Sequence, residues 1–242
     1  MGSGAWSSMS FTSSMASRGV SVDSLCADTV NEFYKARCLS KDLDPYGVKI
    51  RECRDSDEHP NTIPIILALD VTGSMGSACA AVAKKLDEIM TSLYDKIADV
   101  EFMVMGIGDF SYDDSPLQVS QFESDIRILD QLSHIYFERG GGGNGWESYT
   151  AAWYFASRHT DLDCWKRGQK GIIITLGDEP LNPYLPGREF NRIFGYGGQD
   201  VNTTDLYQQV IEKFDVYHII ITDPEGSGWR YLDRDKETWG KF

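Results

Sequence analysis

Ile65-Ile66-Leu67-Ala68-Leu69-Asp70-Val71-Thr72-Gly73-Ser74-Met75 is the stretch on which the fold turns. An apolar run stops abruptly at an acid, and two hydroxyl residues follow at alternate positions. A short Ile/Leu-rich run bounded by polar residues predicts a strand buried on both faces. Asp70 then falls at the C-terminal end of that strand, the edge where open α/β sheets hold their ligands. Gly73 allows a tight turn between Thr72 and Ser74. One carboxylate and two hydroxyls on a single loop suit a hard divalent cation, above all Mg2+, which takes few protein ligands and keeps waters. A position left to water is one that a partner's carboxylate can fill.

Outward from this stretch, strands and helices alternate. The strand at 63–70 leads to a helix near 76–97, with Val82, Leu86, Ile89, Met90, Leu93 and Ile97 at helical spacing. Residues 100–108 read as a second strand. The turn through Tyr112-Asp113-Asp114-Ser115-Pro116 is short enough for an antiparallel hairpin onto 117–121. Helices are expected at 123–134, 147–160 and 204–214, and strands at 171–177 and 216–222. Buried strands separated by helices predict an α/β fold: a Rossmann-like, doubly wound, mostly parallel sheet with one antiparallel edge strand and helices on both faces. A short closing helix is expected within 229–242.

Three units follow from composition. Residues 1–20 are rich in Ser and Gly and read as a flexible arm. Residues 21–62 form an accessory segment with a helix near 22–37 and turn signals at Asp44-Pro45 and His59-Pro60. Residues 63–242 make the main domain, with a Pro/Gly-rich insertion at 180–203.

The formal charge of −14, from 37 acidic and 23 basic side chains, argues against nucleic-acid binding, which works by neutralising phosphates. No run reaches the length of a membrane span, and no secretory signal is visible. Cys26, Cys38, Cys53, Cys79 and Cys164 are scattered and contain no Cys-x-x-Cys pair, so reduced thiols are the default. A cytoplasmic protein is expected, although a virion component would look the same. His59, His134, His159 and His218 share no metal-ligand spacing, and His218 lies inside a strand as a structural residue.

Asp70-x-Thr72-x-Ser74 resembles the Asp-x-Ser/Thr-x-Ser signature of the von Willebrand factor A (VWA) family and its metal-ion-dependent adhesion site (MIDAS). The resemblance covers roughly residues 63–225 and is nearest in style to intracellular bacterial and phage members. It implies that two further loops reach the same metal, one giving a Thr and one an Asp. Asp178, directly after the strand in Gly177-Asp178-Glu179, matches the last element. The middle element departs from the Gly-Gly-Thr of many relatives, reading Gly140-Gly141-Gly142-Gly143-Asn144-Gly145-Trp146-Glu147-Ser148. It looks more like the Gly-rich, Glu-containing variant of some kinase-linked and bacterial members. Glu147 is the first choice of donor there, since a second carboxylate strengthens hard-cation binding. Asn144, Ser148 and Thr150 are the alternatives, Thr150 lying about one turn into its helix. Asp109 reads as a turn residue or an outer support of the site, and Asp113-Asp114 as the start of a solvated turn. Trp146 is a candidate anchor for a partner.

The resemblance implies a noncatalytic docking and assembly module whose Mg2+ (or Mn2+ or Ca2+) is completed by a partner's acidic side chain, often in ATPase-containing assemblies. Asp70, Thr72 and Ser74 have a plainer alternative as a helix N-cap, although capping needs only one of them. A second functional class is a Mg2+-dependent phosphohydrolase of haloacid-dehalogenase type, because Asp70-Val71-Thr72-Gly73-Ser74 also resembles the Asp-Lys-Thr-Gly-Thr nucleophile loop. Thr72 stands where most of those enzymes carry a second Asp. A third is a self-assembling structural protein in which the acidic run at 54–58 offers a carboxylate to a neighbour.

Overall fold

The computed structural model describes residues 4–26, 28–97, 99–138, 143–222 and 232–242. Its first elements are α1 (Ser8–Ser17), α2 (Val30–Phe33), β1 (Arg51–Cys53), β2 (Ile63–Asp70), α3 (Gly76–Tyr94), β3 (Val100–Ile107) and β4 (Leu117–Val119). The chain continues through α4 (Arg127–Ser133), α5 (Thr150–Arg158), β5 (Thr160–Leu162), β6 (Gly171–Gly177) and β7 (Tyr184–Leu185). It then forms α6 (Phe190–Phe194), β8 (Val201–Asn202), α7 (Thr203–Val210), β9 (Phe214–Ile220) and α8 (Leu232–Trp239).

The central sheet runs β4-β3-β2-β6-β9, with β2 parallel to both neighbours and only β4 antiparallel. Ile65 lies opposite Phe102 and Ile172, which places β2 in the middle. Alternation along the strands divides the core in two. Ile66 and Ala68 share one face with Met103, Met105 and Ile173, where α5, α6 and α7 add Trp153, Phe155, Phe194 and Leu206. Ile65 and Leu69 share the other with Phe102, Val104 and Leu176, closed by Leu86 and Met90 of α3. Helices on both faces of a mostly parallel sheet make this an α/β fold, as the buried apolar strands predict.

The N-terminal segment differs from its expectation. Where residues 1–20 read as a flexible arm, Ser8–Ser17 is helical, and Ser7 caps it by accepting from the Ser10 N–H. Phe11 and Met15, four residues apart, fall on one helical face and are buried in the second core with Phe33 and Leu43. Trp6 donates to Asp87 at 2.8 Å, and Arg18 pairs with Asp130 and donates to Ser133. Two apolar side chains in a Ser-rich helix suffice because tertiary packing, not propensity, supplies most helical stability. The helix expected near 22–37 contracts to a 3-10 turn at Val22–Ser24 and the single turn of α2. The 180–203 insertion packs too, since Phe190, Ile193 and Phe194 of α6 enter the first core. Trp229 and Tyr231, expected in a closing helix, lie outside the described residues, as do Gly140 to Gly142. No described helix is long and apolar enough to cross a membrane.

Candidate functional site

Three loops at the C-terminal edge of the sheet build the site. β2 ends in Asp70, which is fully buried, and the chain turns back on its carboxylate. The Thr72 N–H and the Thr72 hydroxyl both donate to Asp70 Oδ1, at 2.9 and 2.6 Å. This local turn, typical of Asp side chains, occupies Thr72 fully as a donor and leaves its oxygen lone pairs free to accept. The capping alternative is not what these residues do: α3 begins after Met75, and no side chain caps it. Ser74 is exposed, and its hydroxyl donates to Asp178 Oδ1 at 3.1 Å. Asp178 follows β6 directly and is buried. Asp70, Thr72, Ser74 and Asp178 thus come together, two loops joined through hydroxyl–carboxylate bonds.

The middle loop closes the group through a residue that the sequence did not single out. The Tyr149 hydroxyl donates to Asp70 Oδ2 at 2.6 Å and accepts from the Glu179 N–H at 3.3 Å. Tyr149 is fully buried, and Gly177 makes room for it, because a Cβ on Gly177 would overlap the phenol oxygen. Just before it, Glu147 is buried with Oε2 lacking any partner. Its backbone is fixed by Glu147 N–H to the Pro180 carbonyl at 3.3 Å, so the second and third loops are stitched together.

The alternative donors are engaged elsewhere. Ser148 Oγ accepts from the Phe110 N–H at 3.0 Å, tying the middle loop to the end of β3. Thr150 starts α5 and is held by Asn182, whose Nδ2 donates to its hydroxyl at 2.6 Å. Asn144 donates to Asp109 Oδ2, while Asp109 Oδ1 accepts from the Ser111 N–H at 2.6 Å, so Asp109 and Asn144 organise a turn with each other. Asp113 corrects the expectation of a solvated turn: it is buried and accepts from the Asp109 N–H at 2.7 Å. Gly108 permits this, since a Cβ there would overlap Asp113. Trp146 is half-buried.

Electrostatically the site is an acidic pocket, in which Arg234 partly opposes the charge on Glu179. Burial pushes the Asp70 carboxyl upward, with Asp178 adding to the rise against the bonds from Thr72 and Tyr149. Burial, then Asp70, Asp113, Asp109 and Glu179 drive Glu147 well above its ordinary range. Glu179 rises to about 7, from burial and then Asp178 and Asp70. These groups favour protonation only because bringing several negative charges out of water costs energy, and a divalent cation would remove that cost. Among the described residues no three His, Cys, Asp or Glu side chains form a metal cage by themselves. A cation here would therefore draw on hydroxyls as well as carboxylates, which is the donor set of Thr72, Ser74, Asp70 and Asp178. Glu147 Oε2 and Glu179 Oε2 are buried there without a hydrogen-bond partner.

The C-terminal helix covers one side of this region. Trp239 stacks on His218 of β9 with ring centroids 3.5 Å apart and planes at 8°, and lies 5.5 Å from the Tyr149 ring. His218 accordingly has a structural place, and burial lowers it to about 3.

No family model matches this chain, and no curated protein matches it. Among solved structures it is similar to the VWA domain of SpRpn10 over 72% of this chain and 82% of that one, at 13% identity and a TM-score of 0.39. It is also similar to the pilus adhesin SpaC of Lactobacillus rhamnosus GG in an open conformation, over 48% of this chain, at 20% identity and a TM-score of 0.35. The chain spans 14% of the adhesin's length. Likenesses this distant add nothing to the fold, which rests on the strand order and register above.

Proposed function

We propose that this chain is a noncatalytic, metal-dependent protein-binding module of the von Willebrand factor A type. Asp70, Thr72, Ser74 and Asp178 hold a divalent cation, Mg2+ or else Mn2+ or Ca2+, directly or through water, with Glu147 as supporting carboxylate. When bound, the cation supplies a coordination position open to a carboxylate from outside. The observation that carries this reading is the joining of Asp70 and Thr72 with Ser74 and Asp178 across two loops at the C-terminal edge of the sheet. Tyr149 orients Asp70 through its hydroxyl, and the loops exclude water from the acid's far side. The partner is a protein presenting an acidic side chain, whether in an ATPase-containing assembly or in a second copy of this chain.

The phosphohydrolase alternative asks Asp70 to attack phosphorus with a free oxygen. Asp70 instead is fully buried, and both its oxygens accept hydrogen bonds. Self-assembly through residues 54–58 is weakened because Arg54 and Asp55 are tied within the chain to Asp163 and Arg167. The test is calorimetric titration of metal-stripped protein with Mg2+ and Mn2+, beside an assay on a generic aryl phosphate. One saturable site, lost in Asp70→Ala with the fold retained by circular dichroism, and no turnover, is the expected result. Micromolar affinity surviving in Asp70→Ala would overturn the site. Turnover abolished by Asp70→Asn would make Asp70 a nucleophile instead.

A further inference from the structure

Arg51, the first residue of β1, carries a guanidinium that the fold leaves unmatched. Side chains alternate along a strand, so Arg51 points to the same side as Cys53, which is fully buried. Its backbone N–H donates to the His159 carbonyl at 2.7 Å. Its side chain is half-buried, and among the described residues it makes no ion pair and no hydrogen bond. Nε is closed off from solvent without a partner. Burial pulls the guanidinium below its ordinary pKa, and no neighbouring acid raises it back. Arginines in such positions ordinarily meet a carboxylate or a phosphate, because the planar fork fits two oxygens at once.

Arg51 lines a cavity of about 460 Å³ between the segment before β1, the turn after β4, and α4. Two of the cavity's acids already have cations: Glu123 pairs with Arg127 at 3.0 Å, and Asp130 pairs with Arg18. That leaves Lys41 and Arg51 set against one exposed acid, Asp42, with the exposed His134 beside them. The cavity holds an idle acceptor as well. Gln131 Nε2 donates to Glu123 Oε1 at 3.2 Å, and Gln131 Oε1 is buried with no partner. Buried polar atoms are nearly always satisfied. An idle donor and an idle acceptor in one cavity therefore describe what fills it: an oxyanion joined to a hydroxyl or amine. Glu123 bridges to Phe102 near the start of β3, so the cavity lies toward the opposite end of the sheet from Asp70 and its loops.

We infer that this cavity binds a small organic anion, a phosphate ester or carboxylate bearing a hydroxyl or amine. Arg51 grips the oxyanion, Lys41 adds charge, and Gln131 Oε1 accepts from the neighbouring donor. With a net charge of −14 the chain repels anions in general, so this local excess of cations is what draws them in. The site works without the cation proposed for the loops, and either can fail alone.

The experiment uses the full chain, stripped of metal, titrated with glycerol 3-phosphate and with malate beside sulfate, an oxyanion without a donor, at constant ionic strength in chloride. Calorimetry should show a saturable site for glycerol 3-phosphate or for malate, and the tighter of the two tells phosphate from carboxylate. Arg51→Gln should weaken it about tenfold or more, as loss of a charged hydrogen bond does. Gln131→Met should erase the preference over sulfate and leave sulfate itself unchanged. In chloride alone Arg51→Gln should melt no lower than wild type, because it removes a buried charge that has no partner. No saturable binding of any of the three, or equal affinity in Arg51→Gln and wild type, would overturn the inference. So would a Tm of Arg51→Gln well below wild type in chloride, which would make Arg51 a structural residue.

Discussion

Tyr149→Phe isolates the bond that orients the central acid. The substitution keeps the ring, its packing beside His218 and Trp239 at 5.2 and 5.5 Å, and nearly all its volume. What it removes is one hydroxyl that donates to a fully buried carboxylate oxygen at 2.6 Å and accepts from the Glu179 N–H at the longer distance of 3.3 Å. Hydrogen bonds to charged groups contribute about 1.5–3 kcal/mol, and a buried acceptor left without a donor carries its desolvation cost besides. Loss of about 2 kcal/mol follows in metal-free buffer, a fall in Tm of about 4–8 °C for a domain of this size. Thermal unfolding followed by circular dichroism measures it. Crossing the change with Asp70→Asn should give a coupling energy of about 1 kcal/mol, because the two groups share one bond. A Tm within about 1 °C of wild type together with zero coupling would refute the placement of the Tyr149 hydroxyl on Asp70, and with it the account of how Asp70 is oriented.

Gly177→Ala attacks the same bond from the strand. A Cβ there would overlap the Tyr149 oxygen, so urea denaturation should show a loss of about 1–3 kcal/mol from overpacking, and a variant as stable as wild type would contradict the packing described. The acidic pocket also sets a pH dependence. Glu179 and Asp235 are raised to about 7 and Asp113 to about 6, by burial first in each case. Groups raised in the folded state stabilise most below their unfolded pKa values and lose that contribution as pH climbs through the folded ones. His218, lowered to about 3, and His159, also lowered by burial, work in the opposite sense below their ordinary value, but the raised acids, Asp70 and Glu147 among them, outnumber them. Metal-free protein should therefore gain stability as pH falls from 8 to 5, and saturating Mg2+ should flatten the profile. A metal-free Tm that rises from pH 5 to pH 8 would contradict the burial of these acids.

The architecture was legible because strand burial leaves a strong mark. Ile65 to Leu69 and Phe102 to Ile107 are apolar on both faces, a pattern few other environments produce. Asp70, Thr72 and Ser74 were legible for a different reason, since they lie within five consecutive positions of a strand-ending loop. Asp178 followed from its strand. Tyr149 was not, because an aromatic beside Ser148 and Thr150 reads as helix packing, and its hydroxyl's target is 79 residues away in the chain. The helix in the N-terminal segment was missed because Ser-rich composition masks a two-residue apolar stripe that only a waiting core makes stable.

The pairing of β2 with both a near and a far strand has a consequence for synthesis. β3 and α3 follow β2 closely, so Ile65, Leu69, Phe102 and Val104 can be covered early, with α1 and α2 already available. The opposite face, Ile66, Ala68, Met103 and Met105, waits for α5, β6 and α7, since Ile65 pairs with Ile172 and β1 with β5. At about 5–20 residues per second a ribosome leaves that face bare for on the order of ten seconds. Half a sheet, complete on one side and greasy on the other, is the species a chaperone would meet first.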